Sequence, residues 1–303
     1  MAWKEFYPLN LIFDDLLEFL PYESPGTSYF HLQMYDRAIL ALEKERKRYR
    51  DHPTLLLYLG FSYVYGNHFE KAKEIFLYIV QTAPLLSSRH FAYCGLALLD
   101  VRKKNYESAI EYFEHALSIT MNIDVLYNLG MCHYLQQRPH IAFPFFQEVI
   151  EHRCYEEHCF YFLGKCFLEL NEFEKALDVW FSGLQTIESF PFLLTLALEF
   201  EELGLYRTAI HCYERLTLLG YNDVQVRHGI AWNFGLLDER DTAMDHFEAL
   251  LSEFPHHVNS WISYFMLLYV WKERERFQLY YERWKKQHLS HPLIEKICQL
   301  QQF

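Results

Sequence analysis

The chain has 303 residues, 51% hydrophobic and 18% aromatic, with 28 Lys and Arg against 40 Asp and Glu, for a formal net charge of −12. That balance argues against a general nucleic-acid binder, which needs clustered cations to neutralise phosphates. Seven cysteines, an odd number with no framework spacing, argue against a disulfide scaffold and fit a reducing compartment.

In chain order, the start Met1-Ala2-Trp3-Lys4-Glu5 lacks a basic region followed by an apolar run, so no secretory signal is expected. Leu9 to Leu20 predicts a helix, broken by Pro21 and by Pro25-Gly26. A partial unit is expected around 22–50, because Ala38 stands 34 residues before Ala72. From Pro53 a rule takes over: Gly60, Gly95, Gly130, Gly164, Ala197 and Ala231 recur at gaps of 35, 35, 34, 33 and 34. Ala72, Ala109, Ala142, Ala176, Ala209 and Ala243 follow them by twelve positions, or fourteen for Ala109. Two coupled series at a fixed period are the signature of stacked repeats.

Six units begin near Pro53, Ser88, Ile123, Glu157, Phe190 and Val224. Within the first, Leu56, Leu59, Gly60 and Tyr63 form one face of a helix, and Ala72, Phe76 and Ile79 one face of a second. Each unit thus predicts a helical hairpin. Its turn is led by Asn67, Asn105, Asn171 or Gly204, residues that tolerate the left-handed conformation closing a helix. Glu70, Glu107 and Glu174 follow in the first turn of the next helix, where its dipole favours them. The small residues are expected to let two backbones cross closely. Phe76, Phe113, Phe146, Trp180, Tyr213 and Phe247, each four residues after an alanine, are expected core rings. Pro144 falls early in a second helix, at low cost or with a kink. Phe265 and Phe277 carry both series into a degenerate unit at 258–290, and His291 to Phe303 predicts a closing helix. The apolar run Trp261 to Trp271 is about half of what spans a bilayer.

These residues resemble the tetratricopeptide repeat, a unit of about 34 residues with a bulky residue, Leu-Gly and an aromatic on the first helix, then Ala, an aromatic and Ala on the second, often closed by Pro. The resemblance rests on Leu56-Leu59-Gly60-Tyr63-Ala72-Phe76-Pro84, on Leu126-Leu129-Gly130-Ala142-Phe146 and on Phe160-Leu163-Gly164-Phe167-Ala176-Trp180. His133, Gly183 and Arg227 depart from it, standing where an aromatic, an alanine and a bulky apolar residue are usual. It implies an all-α, right-handed superhelical solenoid in one continuous domain. Residues 1–52 would hold N-terminal helices and a partial capping repeat, 53–257 six repeats, and 258–303 a degenerate repeat and capping helix, terminal repeats being atypical.

In such a stack the first helices line the concave side, so function is sought on their residues beside the packed face. These are Leu57, Tyr58, Phe61 and Tyr65, then Tyr93 and Leu96, then Tyr127, Asn128, Met131 and Tyr134, then Tyr161, Phe162, Lys165 and Glu169. Later units add Leu198, Glu201, Glu202, His228 and Trp232. The near half is aromatic and the far half turns acidic, which suits an amphipathic or extended peptide. The expected function is a non-enzymatic protein–protein interaction scaffold. The alternative is a chaperone shielding a hydrophobic client, similar in groove character to type III secretion translocator chaperones. Capture of a C-terminal carboxylate, another mode of the family, is not expected: Leu57 and Phe61 stand where it requires a Lys and an Asn, and only Asn128 and Lys165 match.

No cofactor is expected. Gly164-Lys165 lacks the rest of a phosphate loop. His152, Cys154, His158 and Cys159 match no zinc spacing. Glu156-Glu157 and Glu201-Glu202 are adjacent, and helical neighbours do not face each other. Lys44 to Arg50 and Arg283 to Lys286 fit the cation-favouring ends of helices. The expected setting is cytoplasmic, without membrane insertion. Self-association stays open, since an exposed aromatic groove can pair with a copy of itself.

Overall fold

In the computed structural model, which describes residues 22–49, 52–153, 156–287 and 291–301, the period of the sequence becomes a succession of helical hairpins. They are α1 (Pro25–His31) with α2 (Tyr35–Arg46), α3 (Pro53–Tyr65) with α4 (Phe69–Thr82), α5 (Leu86–Arg102) with α6 (Tyr106–Ile119), α7 (Ile123–Leu135) with α8 (Pro139–Glu151), and α9 (Glu156–Glu169) with α10 (Phe173–Thr186). Then come α11 (Phe190–Glu202) with α12 (Tyr206–Leu218), α13 (Val224–Leu236) with α14 (Arg240–Glu253), and α15 (Val258–Trp271) with α16 (Arg274–Lys286), followed by α17 (Pro292–Gln301). The chain divides into two compact units between Gln185 and Thr186, each described by itself. The helix expected at Leu9 to Leu20 lies outside the described residues.

Every hairpin turns through one residue in the left-handed region. In the first unit these are Gln33, Asn67, Lys104, Gln137 and Asn171, with φ between 56° and 61°. In the second they are Gly204 (φ 74°), Asp238 (59°) and Lys272 (61°). The next amide then reaches back to the helix: His68 N donates to Tyr63 O at 2.7 Å, and Leu205 N to Phe200 O at 2.8 Å. That bond satisfies a carbonyl the helix end would leave open. Asn67, Asn171 and Gly204 do what their identity predicts. Asn105 does not: it stands at the N-cap position of α6 with φ −92° and no side-chain capping bond, and Lys104 before it takes the strained conformation. The first helices α7, α11 and α13 start on side-chain caps, with Asn122, Ser189 and Asp223 accepting backbone N–H bonds of 2.9–3.3 Å.

The glycines of the series have a different physical reason from the one expected. A methyl group at Gly164 would lie 2.2 Å from Trp180 Nε1, and methyls at Gly60 and Gly95 would lie 2.6 and 2.4 Å from the Phe76 ring. A methyl at Gly130 would lie 2.9 Å from the Phe146 ring. What needs the space is an aromatic side chain, not the neighbouring backbone. Phe76 is wedged between two glycines of successive hairpins. The alanines Ala72, Ala109, Ala142, Ala176, Ala197, Ala209, Ala231 and Ala243 are wholly buried, and so are the rings four residues after the second-helix alanines, at 0–2% exposure. Full burial of one such ring contributes roughly 2–3 kcal/mol.

Pro144 lies in the middle of α8, not in its first turn, and the helix runs through it. His133 fills the place of the usual aromatic by stacking on Phe145, 5.7 Å away at 8°. Arg227 pairs with Glu253 and lies 5.7 Å over the Phe254 ring. In the second unit Phe265 and Phe277 meet at 4.9 Å, Trp261, Tyr264 and Trp284 close around them, and α17 adds the buried Ile294. Among the described residues no helix is long and apolar enough to cross a membrane.

Candidate functional site

In the first unit the residues assigned to a partner surface separate into two sets. Leu55 to Val64 of α3 and Asp124 to His133 of α7 are buried without interruption. Leu57, Tyr58, Phe61, Leu96, Tyr127, Asn128, Met131, Tyr161 and Phe162 therefore have at most 4% exposure. Their surroundings explain it. Phe61 meets Phe76 at 5.0 Å, Phe162 stacks on Phe146 at 5.9 Å, and Trp180 Nε1 donates to Tyr161 O at 3.2 Å. A first helix sits between its own second helix and those of its neighbours, so positions beside the packed face also meet other hairpins. Burial pushes the Tyr58 and Tyr127 hydroxyl pKa up, and lowers that of His158, which lies edge-on to Tyr127 at 6.0 Å, to about 4.

The second set reaches the surface. Tyr65, half-buried, stacks on Tyr35 at 4.9 Å under the Arg102 guanidinium. Tyr93, half-buried, stacks on His115 at 5.2 Å, and Tyr134 lies 5.3 Å from Phe162. Lys165 is half-buried and Glu169 exposed. Asn128 is fully buried, and both atoms of its carboxamide lack a hydrogen-bond partner. Among the described residues no three His, Cys, Asp or Glu side chains converge on a point. Cys159 is wholly buried, and Cys154 lies outside the described residues.

In the second unit Leu198, Glu201, His228 and Trp232 are half-buried and Glu202 is exposed. Glu201, near the end of α11, accepts hydrogen bonds from Tyr213 Oη of α12 at 3.0 Å and Asn233 Nδ2 of α13 at 2.5 Å. Burial raises the Glu201 pKa, and those two hydrogen bonds oppose the rise. Asn233 is fully buried; its Nδ2 also donates to Gly229 O at 2.8 Å, while its Oδ1 has no partner. Thr195, on the same face of α11 as Leu198, has a buried hydroxyl without a partner. His228 Nε2 is 3.0 Å from Ser263 Oγ, and its pKa falls to about 4, burial being the main cause and neighbouring His257 a smaller one. Sequence reasoning does not single out Tyr213 and Asn233 for this site. Tyr213 reads as a core ring, and Asn233, two residues after Ala231, carries no signal that it reaches back to Glu201.

Residues 102–182 match the family described as anaphase-promoting complex, cyclosome, subunit 3. No curated protein matches the chain. The C-terminal part of a tetratricopeptide-repeat-containing protein from Cytophaga hutchinsonii is 16% identical, with 78% of this chain and 97% of that one covered at a TM-score of 0.62. A chain of the Cut9–Hcn1 hetero-tetramer of the anaphase-promoting complex is 18% identical over 85% of this chain and 52% of the other, at a TM-score of 0.50. PilF of Pseudomonas aeruginosa is 20% identical over 69% and 94%, at a TM-score of 0.49.

Proposed function

We propose that the chain, whose repeats and fold are those of tetratricopeptide-repeat proteins, is a non-enzymatic scaffold whose first helices hold a segment of another protein. The observation that carries this is the row of half-buried side chains on successive first helices: Tyr65, Tyr93, Tyr134 and Lys165 in the first unit, Leu198, Glu201 and Trp232 in the second. Tyrosine and tryptophan suit the task because they bury much area at low entropic cost while keeping a polar tip. On the first unit the segment would rest its apolar residues on the tyrosines, while Lys165 and Glu169 set its direction.

Tyr127 and Met131, with 2% and 4% exposure, serve the fold, so shortening them tests stability and not binding. The informative variant is Tyr93→Ala with Tyr134→Ala, assayed by quantitative mass spectrometry of proteins co-purified from the native cell. Partner recovery should fall at least tenfold with an unchanged helical spectrum. Undiminished recovery would remove the first-helix assignment.

A further inference from the structure

Glu201 holds an unusual position in the second unit. Its carboxylate is half-buried, yet no cation is paired with it among the described residues: Arg207, Arg215, Arg227, Arg240 and Arg276 are paired with Glu239, Glu188, Glu253, Asp238 and Glu248. Its hydrogen-bond donors among the described residues are neutral, Tyr213 Oη and Asn233 Nδ2, and both address the same oxygen, Oε1. Oε2 receives no hydrogen bond from them. The carboxamide that donates to Oε1 carries a second acceptor, Asn233 Oδ1, fully buried and without a partner. Glu201 Oε2, which neither donor serves, and Asn233 Oδ1, buried without a partner, therefore leave acceptor capacity to spare on two hydrogen-bonded side chains, one of them charged.

A buried acceptor left unpaired costs stability, and an uncompensated carboxylate costs more. A structural tie between α11, α12 and α13 would be served as well by glutamine, which accepts the same two bonds without burying a charge. The retained charge and the spare acceptors ask for one kind of group, a cation with several N–H donors. Water would satisfy the geometry but not the charge.

We propose that Glu201 Oε2 and Asn233 Oδ1 form a recognition point for an arginine or lysine side chain of the segment held by the second unit. This rests on the scaffold reading above and adds the chemistry that reading lacks, namely a basic residue at a defined place in the partner. Charge-assisted hydrogen bonds are roughly twice as strong as neutral ones, so the contact discriminates sharply against an uncharged residue of the same size.

The test uses the full chain and two probes, N-acetyl-arginine amide and N-acetyl-citrulline amide, the second replacing guanidinium by a neutral urea of equal shape. Binding is followed through the indole N–H resonance of Trp232, one residue before Asn233. The arginine probe should shift it saturably, with the citrulline probe at least tenfold weaker. Glu201→Gln, which preserves shape and the two internal hydrogen bonds, should erase the preference, while Glu202→Gln, changing the exposed neighbour, should keep it. Equal affinity for both probes would overturn the proposal, as would a preference that survives Glu201→Gln or vanishes equally in Glu202→Gln. Equal affinity in the unmodified chain, with partner recovery still lost in Tyr93→Ala with Tyr134→Ala, would remove the cation site alone and leave the scaffold reading standing.

Discussion

The two units treat equivalent helices differently. On α3, α7 and α9 the residues assigned to the partner surface are mostly rings and aliphatics sealed to within 4% of full burial, and of those assigned only Tyr65, Tyr134, Lys165 and Glu169 reach the surface. On α11 and α13 the corresponding face keeps Leu198, Glu201, His228 and Trp232 half-buried, with a carboxylate held by neutral donors. An aromatic on a first helix is thus first of all packing between hairpins. What marks a binding position is incomplete burial, or a polar atom whose hydrogen bonding is unfinished.

The sharpest way to break this contrast is at the rings. Phe76→Ala empties a site wedged between Gly60 and Gly95 and should cost about 3–5 kcal/mol in urea unfolding. Tyr213→Phe in the second unit, losing only its bond to Glu201, should cost about 1 kcal/mol. Comparable losses would show that the second unit depends on its polar cluster as the first depends on its rings.

Acid comes next in size. His158 in the first unit and His228 in the second have pKa values near 4 when folded, against 6.5 when exposed, both chiefly through burial. Folding disfavours their protonated forms, so the stability they contribute is complete above pH 6.5 and is lost as pH falls toward 4, by up to roughly 3 kcal/mol each. Unfolding midpoints measured across that window should fall steeply, and His158→Gln or His228→Gln should flatten the decline. An unchanged slope in both variants would contradict the burial assigned to these rings.

Glu201 gives a smaller effect of opposite sign. Its folded pKa is raised, so the folded state favours the protonated carboxyl, and the carboxylate is a liability that grows as pH rises above 4.5. Glu201→Gln should therefore stabilise the chain slightly at pH 7, with the gain fading toward pH 4, in paired thermal melts. A net destabilisation at pH 7 would make Glu201 a structural residue.

The smallest effect lies in the turns. Lys104→Gly relieves a left-handed backbone and should stabilise by about 0.5–1 kcal/mol in urea. Asn67→Gly, replacing a residue already tolerant of that conformation, should gain less.

The period and the small residues carried the fold, because hairpin stacking constrains the same positions in every repeat. The glycines were legible as small but not as seats for rings, since spacing along a chain does not say which neighbour fills a gap. Asn105 pointed to the turn and missed it by one residue, because an asparagine serves equally as helix cap and as left-handed residue. The surface was less legible: Leu57, Phe61, Tyr161 and Phe162 read as groove residues while their burial depends on contacts from other hairpins. Glu201 was visible as a candidate, but its link to Tyr213 and Asn233 joins three helices and leaves no trace in any local pattern.

The most direct test places a photo-activatable phenylalanine at Tyr93, Tyr134 or Trp232 on first helices, and at the exposed Glu114 or Asp245 on second helices, and maps cross-links to partner protein in the native cell. Cross-links from the first three positions and none from the other two are the predicted result. Cross-links confined to Glu114 and Asp245 would contradict it.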